Sequence, residues 1–469
     1  MPGRGIVIHR PFPAAWPGRR AICFAALCLL GGCATYEPMP LDTTMHFAHS
    51  LADLRTTPSG ASQAAVDVTK PLTLSDVVFL AVENNPDLIA TRTQHGIDEA
   101  QLVEAGLLPN PSVSANYGFL IKGPASFDSW AIGLTEDLRA IITMGPTKES
   151  ARYALFQGDA EELWEEWQLI TKASLLYIDI VEGEKLGKVL KAARDVFQQR
   201  YDRSSQALEQ GNTDLPTAAA DMSALNDIQK DYTDFERDQQ SKRNDLNALF
   251  GLAPDVTLNL ADSVDLPAIA PDKVKELLSD LPQRRPDLVA LQLGYKSEEE
   301  KLRAAVLGQF PAMTFGGTYQ TDTSHVYSAG PQITFDLPIF NRNQGNIAIE
   351  HATRQKLFAE FNARQTAAIL EIQASQAENS LIERQMDEAR AQMPAAERAA
   401  SAAENAYRVG NIDARSYADL VLVRVSKQRE IIGDEQAIFE HRVAVAGLLG
   451  AGLPEVTYPA AAQHQEQKQ

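Results

Sequence analysis

The sequence predicts a mainly α-helical chain with a small β part, in which one unit occurs twice: helix, β-hairpin, long helix, turn, returning helix. Three observations carry that expectation. First, landmarks recur about 200 positions apart. Asn85-Pro86-Asp87-Leu88 answers to Arg285-Pro286-Asp287-Leu288, Pro111 to Pro311, and Gly145 to Gly345. Gly211-Asn212 answers to Gly410-Asn411, and Leu249-Phe250-Gly251 to Leu448-Leu449-Gly450. Second, the composition is rich in Ala, Leu, Glu and Gln with only 7% aromatics, which favours long helices over compact mixed packing. Third, period-two alternation marks four short strand-like runs, two in each copy.

A chain of 469 residues usually divides into two or three domains. The duplication argues instead for two copies of one unit in a single elongated body. The net charge of −19 speaks against a nucleic-acid partner, since phosphate binding needs clustered Lys and Arg. The three cysteines, Cys23, Cys28 and Cys33, all lie in the first 33 residues, so no disulfide framework or Cys metal site is expected downstream. The eight histidines are scattered, and no metal site or cofactor is expected. There is no P-loop, no G-x-S-x-G and no H-E-x-x-H, so the chain is not expected to be an enzyme. Glu165-Glu166 and Glu298-Glu299-Glu300 read as solvated helix faces.

Residues 1–32 read as an address. Arg4, Arg10, Arg19 and Arg20 precede an apolar run from Ala21 to Leu30, too short to span a membrane and the right length for a secretory signal. Leu30-Gly31-Gly32-Cys33 resembles the bacterial lipobox, which implies that Cys33 becomes the lipidated first residue; an ordinary cleaved signal with an incidental Cys is the alternative. Ala34 in place of an Asp favours the outer membrane. Loss of residues 1–32 removes four arginines and no acids, moving the net charge from −19 to −23. Residues 33–71, broken by Thr57-Pro58-Ser59-Gly60, read as a tether with little regular structure.

The first copy spans 72–251. Thr73-Leu74-Ser75-Asp76 caps a helix expected to run to Leu108, with a kink or restart at Pro86. A β-hairpin at about 111–138 follows: Val113, Ala115, Tyr117 and Phe119 alternate with small or polar residues, as do Trp130, Ile132 and Leu134. Two strands cannot bury an apolar face in water alone. They either pack on the helices or, at about nine residues each, match membrane-spanning strands. Gly145-Pro146 is expected to open a long helix with Pro at its first position. Its apolar face includes Leu163, Trp167, Ile170, Ser174 and Tyr177. At ~65 residues such a helix would reach ~98 Å, so it belongs to a coiled-coil-like hairpin. The hairpin turns at Gly211-Asn212-Thr213-Asp214, and Leu225, Ile228, Tyr232 and Phe235 lie on the returning helix.

Residues 252–272 form a Pro-bearing linker, read as a belt outside the helices. The second copy spans 273–454. It holds short helices around Arg285-Pro286-Asp287-Leu288, a hairpin at about 312–338 (Met313, Phe315, Gly317, Tyr319; Ile333, Phe335, Leu337), and a tight connection from Pro338 to Gly345. A long helix to Gly410 carries Pro394, where a kink or loosening is expected, and Arg415 to Leu449 returns. Residues 455–469 read as a disordered tail.

In this order of elements the chain resembles the outer-membrane efflux proteins, the TolC-like outer-membrane factors. The residues carrying the likeness are Leu281 with Arg285-Pro286-Asp287-Leu288, Phe335-Asp336-Leu337-Pro338-Ile339-Phe340, Tyr407-Arg408-Val409-Gly410-Asn411 and Leu448-Leu449-Gly450. Over Leu72 to Pro454, the resemblance implies a homotrimer whose four strands per chain make a 12-stranded outer-membrane β-barrel, continued by a periplasmic α-helical barrel. It implies a passive duct for a periplasmic adaptor and an inner-membrane pump of the resistance-nodulation-division type, lipid-anchored and set in outer-membrane lipid. The tips Gly211, Asn212, Val409, Gly410 and Asn411 would meet the adaptor; their glycines could equally serve turn geometry, and both roles can hold together. Asp413 and Asp419 would ring the periplasmic aperture, or else sit as solvated helix-start carboxylates. Phe340-Asn341-Arg342-Asn343-Gln344-Gly345-Asn346-Ile347 is similar to the heavy-metal branch, which favours metal cations over organic compounds or a secreted polypeptide as cargo. A periplasmic adaptor or scaffold lipoprotein is the rival reading, but adaptors normally have one hairpin and lack paired strands between helices.

Overall fold

The computed structural model describes residues 36–44, 47–57, 65–124 and 126–451. The expected signal 1–32, Cys33 and the tail 455–469 lie outside the described residues. The chain divides into a unit ending at His46 and a unit beginning at Phe47. In the first, residues 36–44 carry no helix or strand, and the Asp42 carboxylate accepts from the Thr44 backbone at 2.9 Å. Every helix and strand among the described residues belongs to the second.

Helix α1 (Leu74–Asn84) opens on a capping box: Asp76 accepts from the Thr73 backbone at 2.9 Å while Thr73 accepts from the Asp76 backbone at 3.3 Å. The chain restarts at Pro86, as its missing N–H allows, to form α2 (Pro86–Arg92). The restart expected at Pro86 therefore occurs, and a further break at Thr93, which was not expected, precedes α3 (Gln94–Ala105). Strands β1 (Ser112–Gly118) and β2 (Ser129–Asp137) follow.

The long helix α4 (Leu138–Glu209) starts seven residues before the Gly145-Pro146 expected to open it. The cause is Asp137, whose carboxylate accepts from the backbones of Arg139 at 2.9 Å and Ala140 at 3.2 Å, so strand passes directly into helix. Pro146 therefore sits inside the helix and leaves one carbonyl, that of Ile142, without its usual donor. At 72 residues α4 extends about 108 Å. Helix α5 (Leu215–Leu249) returns along it.

The second copy repeats this order: α6 (Pro271–Ser279), α7 (Leu281–Arg284), α8 (Pro286–Leu307), β3 (Met313–Thr321), β4 (Tyr327–Phe335), α9 (Gln344–Arg408) and α10 (Ala414–Leu449). Strand β4 stops before Leu337. Helix α9 runs through Pro394 without interruption, so the expected loosening does not break the helix. No helix among the described residues is long and apolar enough to cross a membrane.

Each copy closes on its own core. In the first, Leu72, Val77, Leu80, Tyr177, Ile180, Leu246 and Phe250 pack together. In the second, Val274, Leu277, Leu281, Leu288, Ile372 and Leu449 do so. Smaller clusters join the copies, with Ala160 against Ala290 and Leu293, and Ala193 against Val421 and Val425. Part of the expected tether is docked: Leu54 is buried in the first core and Ala48 bridges Leu252, while Leu72, at the start of the first copy, bridges Leu260. The linker is strapped to the second copy by Arg442, which donates to the Leu266 carbonyl at 2.8 Å.

The twin tetrapeptides have equivalent tasks. Buried Asn85 donates to the Leu249 carbonyl at 3.0 Å, satisfying the end of the helix that closes its copy. Arg285, 0% exposed, reaches the Leu448 carbonyl at 3.4 Å from the matching position. It also donates to both Asp287 oxygens, at 2.9 and 2.7 Å, and Arg364 donates to Asp287 at 2.7 Å. The Trp164 ring lies 5.1 Å from the Arg285 guanidinium carbon. Gly251 and Gly450 take left-handed φ of 67° and 62° just past those helix ends.

One acidic run is not the solvated face it was expected to be. Glu298 is 3% exposed, because α8 is flanked by α4 and α9, and its Oε1 has no hydrogen-bond partner. Burial first, then contact with Glu350, pushes its carboxyl up to about 7. Since the folded value lies above the unfolded one, ionisation penalises folding increasingly as pH rises from about 4.5 through 7. Glu298→Gln is therefore expected to raise the unfolding midpoint at pH 8 and to leave it unchanged at pH 4; equal shifts at both values would contradict this. Glu299 pairs with Arg354 at 3.2 Å, and Glu166 with Arg92 at 3.5 Å, while Glu165 is exposed.

Candidate functional site

Two regions carry function-bearing geometry: the four-stranded sheet at one end of the helices, and the hairpin tips at the other. The strands pair antiparallel in the order β1-β2-β3-β4, so the β2–β3 ladder joins the copies and β1 and β4 are open edges. Register sorts every side chain. One face carries Val113, Tyr117, Trp130, Ile132, Leu134, Phe315, Tyr319, Tyr327, Ile333 and Phe335, with Glu136 and the buried Thr321 at its two ends. The other carries only small or polar residues, among them Ser112, Ser114, Asn116, Ser129, Thr135, Thr314, Thr318, Gln320, Ser328, Gln332 and Thr334.

The apolar face is bare: Val113 is 71% exposed, Ile132 51% and Ile333 59%. Aromatic rings gather toward the far end, with Trp130 5.5 Å from Tyr319 and Tyr319 stacked 6.1 Å from Tyr327. Phe315 and Phe335 mark the helix-proximal end. The polar face is open along its edge strands, where Ser112, Ser114, Asn116, Ser328 and Thr334 are exposed, and is crowded only near its centre. A Cβ on Gly133 would stand 2.7 Å from the Ser114 hydroxyl and 3.5 Å from Gln332, and one on Gly316 would meet the Leu134 carbonyl. Side chains that converge over glycine belong to the inner side of a curved sheet. The expected alternation thus gives a face that is not packed on the helices.

The tips are built alike. Gly211 and Gly410 adopt φ of 71° and 79°, a left-handed turn that closes the outgoing helix. Asn212 donates back to the Ala207 carbonyl and Asn411 to that of Ala406, both at 2.8 Å. Asp214 then caps α5 by accepting from the Thr217 backbone at 3.0 Å, and Asp413 caps α10 by accepting from Ser416 at 2.8 Å. The Ser416 backbone bond holds the Asp413 carboxyl below the usual range. Val409 is 68% exposed beside this turn. Turn geometry therefore explains both glycines, and Asp413 works as a helix cap that stays ionised.

Behind the tips lies a charge network that the sequence reading did not single out. Arg200 of α4, 8% exposed, donates to Asp221 of α5 at 2.9 Å and to Asp419 of α10 at 3.0 Å. Arg415 of α10 donates to the same Asp221 oxygen at 2.8 Å. Tyr407 stacks on Tyr417 at 4.9 Å and carries Arg203 at 4.5 Å. Burial raises the Asp221 carboxyl, but the bonds from Arg200 and Arg415 hold it below its ordinary value. The signal was available: Arg200 lies between Phe197 and Ser204, and Asp221 between Ala218 and Leu225, each a charge on the buried stripe of its helix. Asp419 joins this network, with a side chain still 62% exposed. Among the described residues no group of three or more His, Cys, Asp or Glu is placed to hold a metal ion.

Residues 277–451 match the family model of the outer membrane efflux proteins. No curated protein sequence matches the chain. Its fold is that of several solved structures at low identity. The Campylobacter jejuni CmeC outer membrane channel is 15% identical, with a TM-score of 0.67 over 90% of this chain and 96% of that one. The outer membrane protein VceC of Vibrio cholerae is 16% identical, with a TM-score of 0.64 over 80% and 96%. CusC, described as forming a transmembrane channel, is 15% identical, with a TM-score of 0.63 over 87% and 99%.

Proposed function

We propose that this chain is a TolC-like outer membrane efflux protein and serves as the outer-membrane duct of a tripartite efflux system. The observation that carries the reading is the division of the sheet into a face of large, mostly apolar side chains and a face of small and polar ones. Lipid on the first face and a water-filled lumen on the second suit that division. Two open edges are intolerable in hydrocarbon. Three copies, pairing β4 of each with β1 of the next, close them into a 12-stranded barrel. Helices of about 100 Å carry the duct onward through the periplasm.

The duct is passive. A periplasmic adaptor meets the tips at Gly211-Asn212 and Val409-Gly410-Asn411, and an inner-membrane pump of the resistance-nodulation-division type supplies the energy. Lipidated Cys33 adds an anchor to the barrel. Metal cations are the favoured cargo, supported by the similarity of residues 340–347 to the heavy-metal branch. Asp413 and Asp419, repeated three times, ring the periplasmic aperture and attract cations, while Arg200 and Arg415 hold the hairpins together beneath them.

A charge on the lipid face separates this reading from a water-exposed sheet. Ile132→Arg is expected to cost about 2–4 kcal/mol of barrel stability, whereas Asn116→Arg on the polar face costs far less. The measurement is the yield of heat-resistant oligomer in the outer-membrane fraction. Equal yields from the two variants would contradict the proposal.

A further inference from the structure

We propose that the connection after β4, Leu337 to Arg342, is a membrane-interface loop that seats in the headgroup region of the periplasmic leaflet. The inference rests on the barrel reading and goes beyond it, because this segment lies past the last strand. Leu337, two residues past the end of β4 at Phe335, is 68% exposed. Ile339 is 64% exposed and Phe340 91%. A 91% exposed phenylalanine gains nothing from the folded chain. The neighbouring connections present the same chemistry at the helix-proximal end of the sheet, with Leu108 67% exposed before β1 and Phe310 54% before β3.

The sequence beyond Phe340 turns abruptly polar, through Asn341, Arg342, Asn343 and Gln344. The Arg342 Nε donates to the Pro338 carbonyl at 3.2 Å, which folds the side chain back over the loop. Its guanidinium makes no ion pair among the described residues. The order is hydrocarbon-facing strand, exposed aromatic, then unpaired arginine. It follows the gradient of a bilayer from acyl chains through the interface to phosphate. The occupant is phospholipid: acyl chain ends near Leu337, the interface at Phe340, and lipid phosphate at Arg342.

The test is the depth of a spin label at Phe340→Cys in the full-length oligomer in bilayers, with the N-terminal cysteines replaced. Ile132→Cys on the sheet and Val409→Cys at the tip are references. Collision with oxygen over a water-soluble nickel complex is expected to be high at 132, intermediate at 340 and low at 409. A deep signal at 132 with a water-like signal at 340 overturns the inference and leaves the barrel intact. A label at 340 that neither reagent reaches shows that another copy covers the loop, and also overturns it. A water-like signal at 132 removes the barrel reading and the inference with it. In an Arg342→Glu background in phosphatidylglycerol vesicles the label at 340 shifts toward water; no shift overturns the arginine's part.

Discussion

Asp287→Ala is expected to destabilise the folded chain by about 3–5 kcal/mol, the effect of removing one partner from a buried ion pair. The carboxylate lies between two guanidiniums, those of Arg285 and Arg364, and its side chain is 11% exposed. Without it Arg285, fully buried, keeps only the Leu448 carbonyl and the face of Trp164. Arg285→Met, which removes the stranded charge and keeps the stem, is the milder change. Burial raises the Asp287 carboxyl, yet Arg285 and then Arg364 outweigh it and hold the value below that of a free aspartate. A depressed folded value means that this stability is present above about pH 3.9 and drains away as pH falls through the folded value. The check is the denaturation midpoint followed by helical circular dichroism. A loss under 1 kcal/mol at pH 7, or a loss unchanged at pH 2, would contradict the assignment.

If the chain is the duct proposed above, Asp221→Ala is expected to act on its aperture. Asp221 is 4% exposed and takes bonds from Arg200 of its own hairpin and Arg415 of the other, so it fastens the two copies about two turns behind the tip. Removing it leaves buried Arg200 with Asp419 alone and Arg415 with the Thr217 carbonyl, and costs the fastened arrangement up to about 3 kcal/mol per protomer. That shifts the balance between fastened and splayed tips by up to about two orders of magnitude. The expected result is a higher single-channel conductance than that of the parent, with the oligomer intact. Asp419→Ala removes a partner that is 62% exposed and is expected to do much less. Equal conductance of Asp221→Ala and the parent would show that the network does not restrain the aperture.

Most of the architecture was legible because the duplication repeats physical tasks and not only letters. Asn85 and Arg285 are different residues, yet each ties the start of its copy to the helix end at Leu249 or Leu448. Gly211 and Gly410 were visible as turns because left-handed backbone favours glycine. The start of α4 was hidden: Gly145 matches Gly345 in position, but the Asp137 cap begins the helix earlier, and a cap acts through geometry that spacing does not encode. Glu298 was misjudged because a run of three glutamates looks solvated, whereas α8 has helices on more than one side. The tip network was missed because Arg200 and Asp221 are 21 positions apart and meet only across the turn. The sheet faces were readable strand by strand, but their joining into one surface across the copies required the β2–β3 register.

The most direct test of the central claim is conductance across a planar bilayer by the Cys33→Ala chain, purified from membranes and sized in detergent. The account predicts a trimer that conducts ions, held in the bilayer by its barrel without the lipid anchor. A water-soluble species that conducts nothing would contradict it.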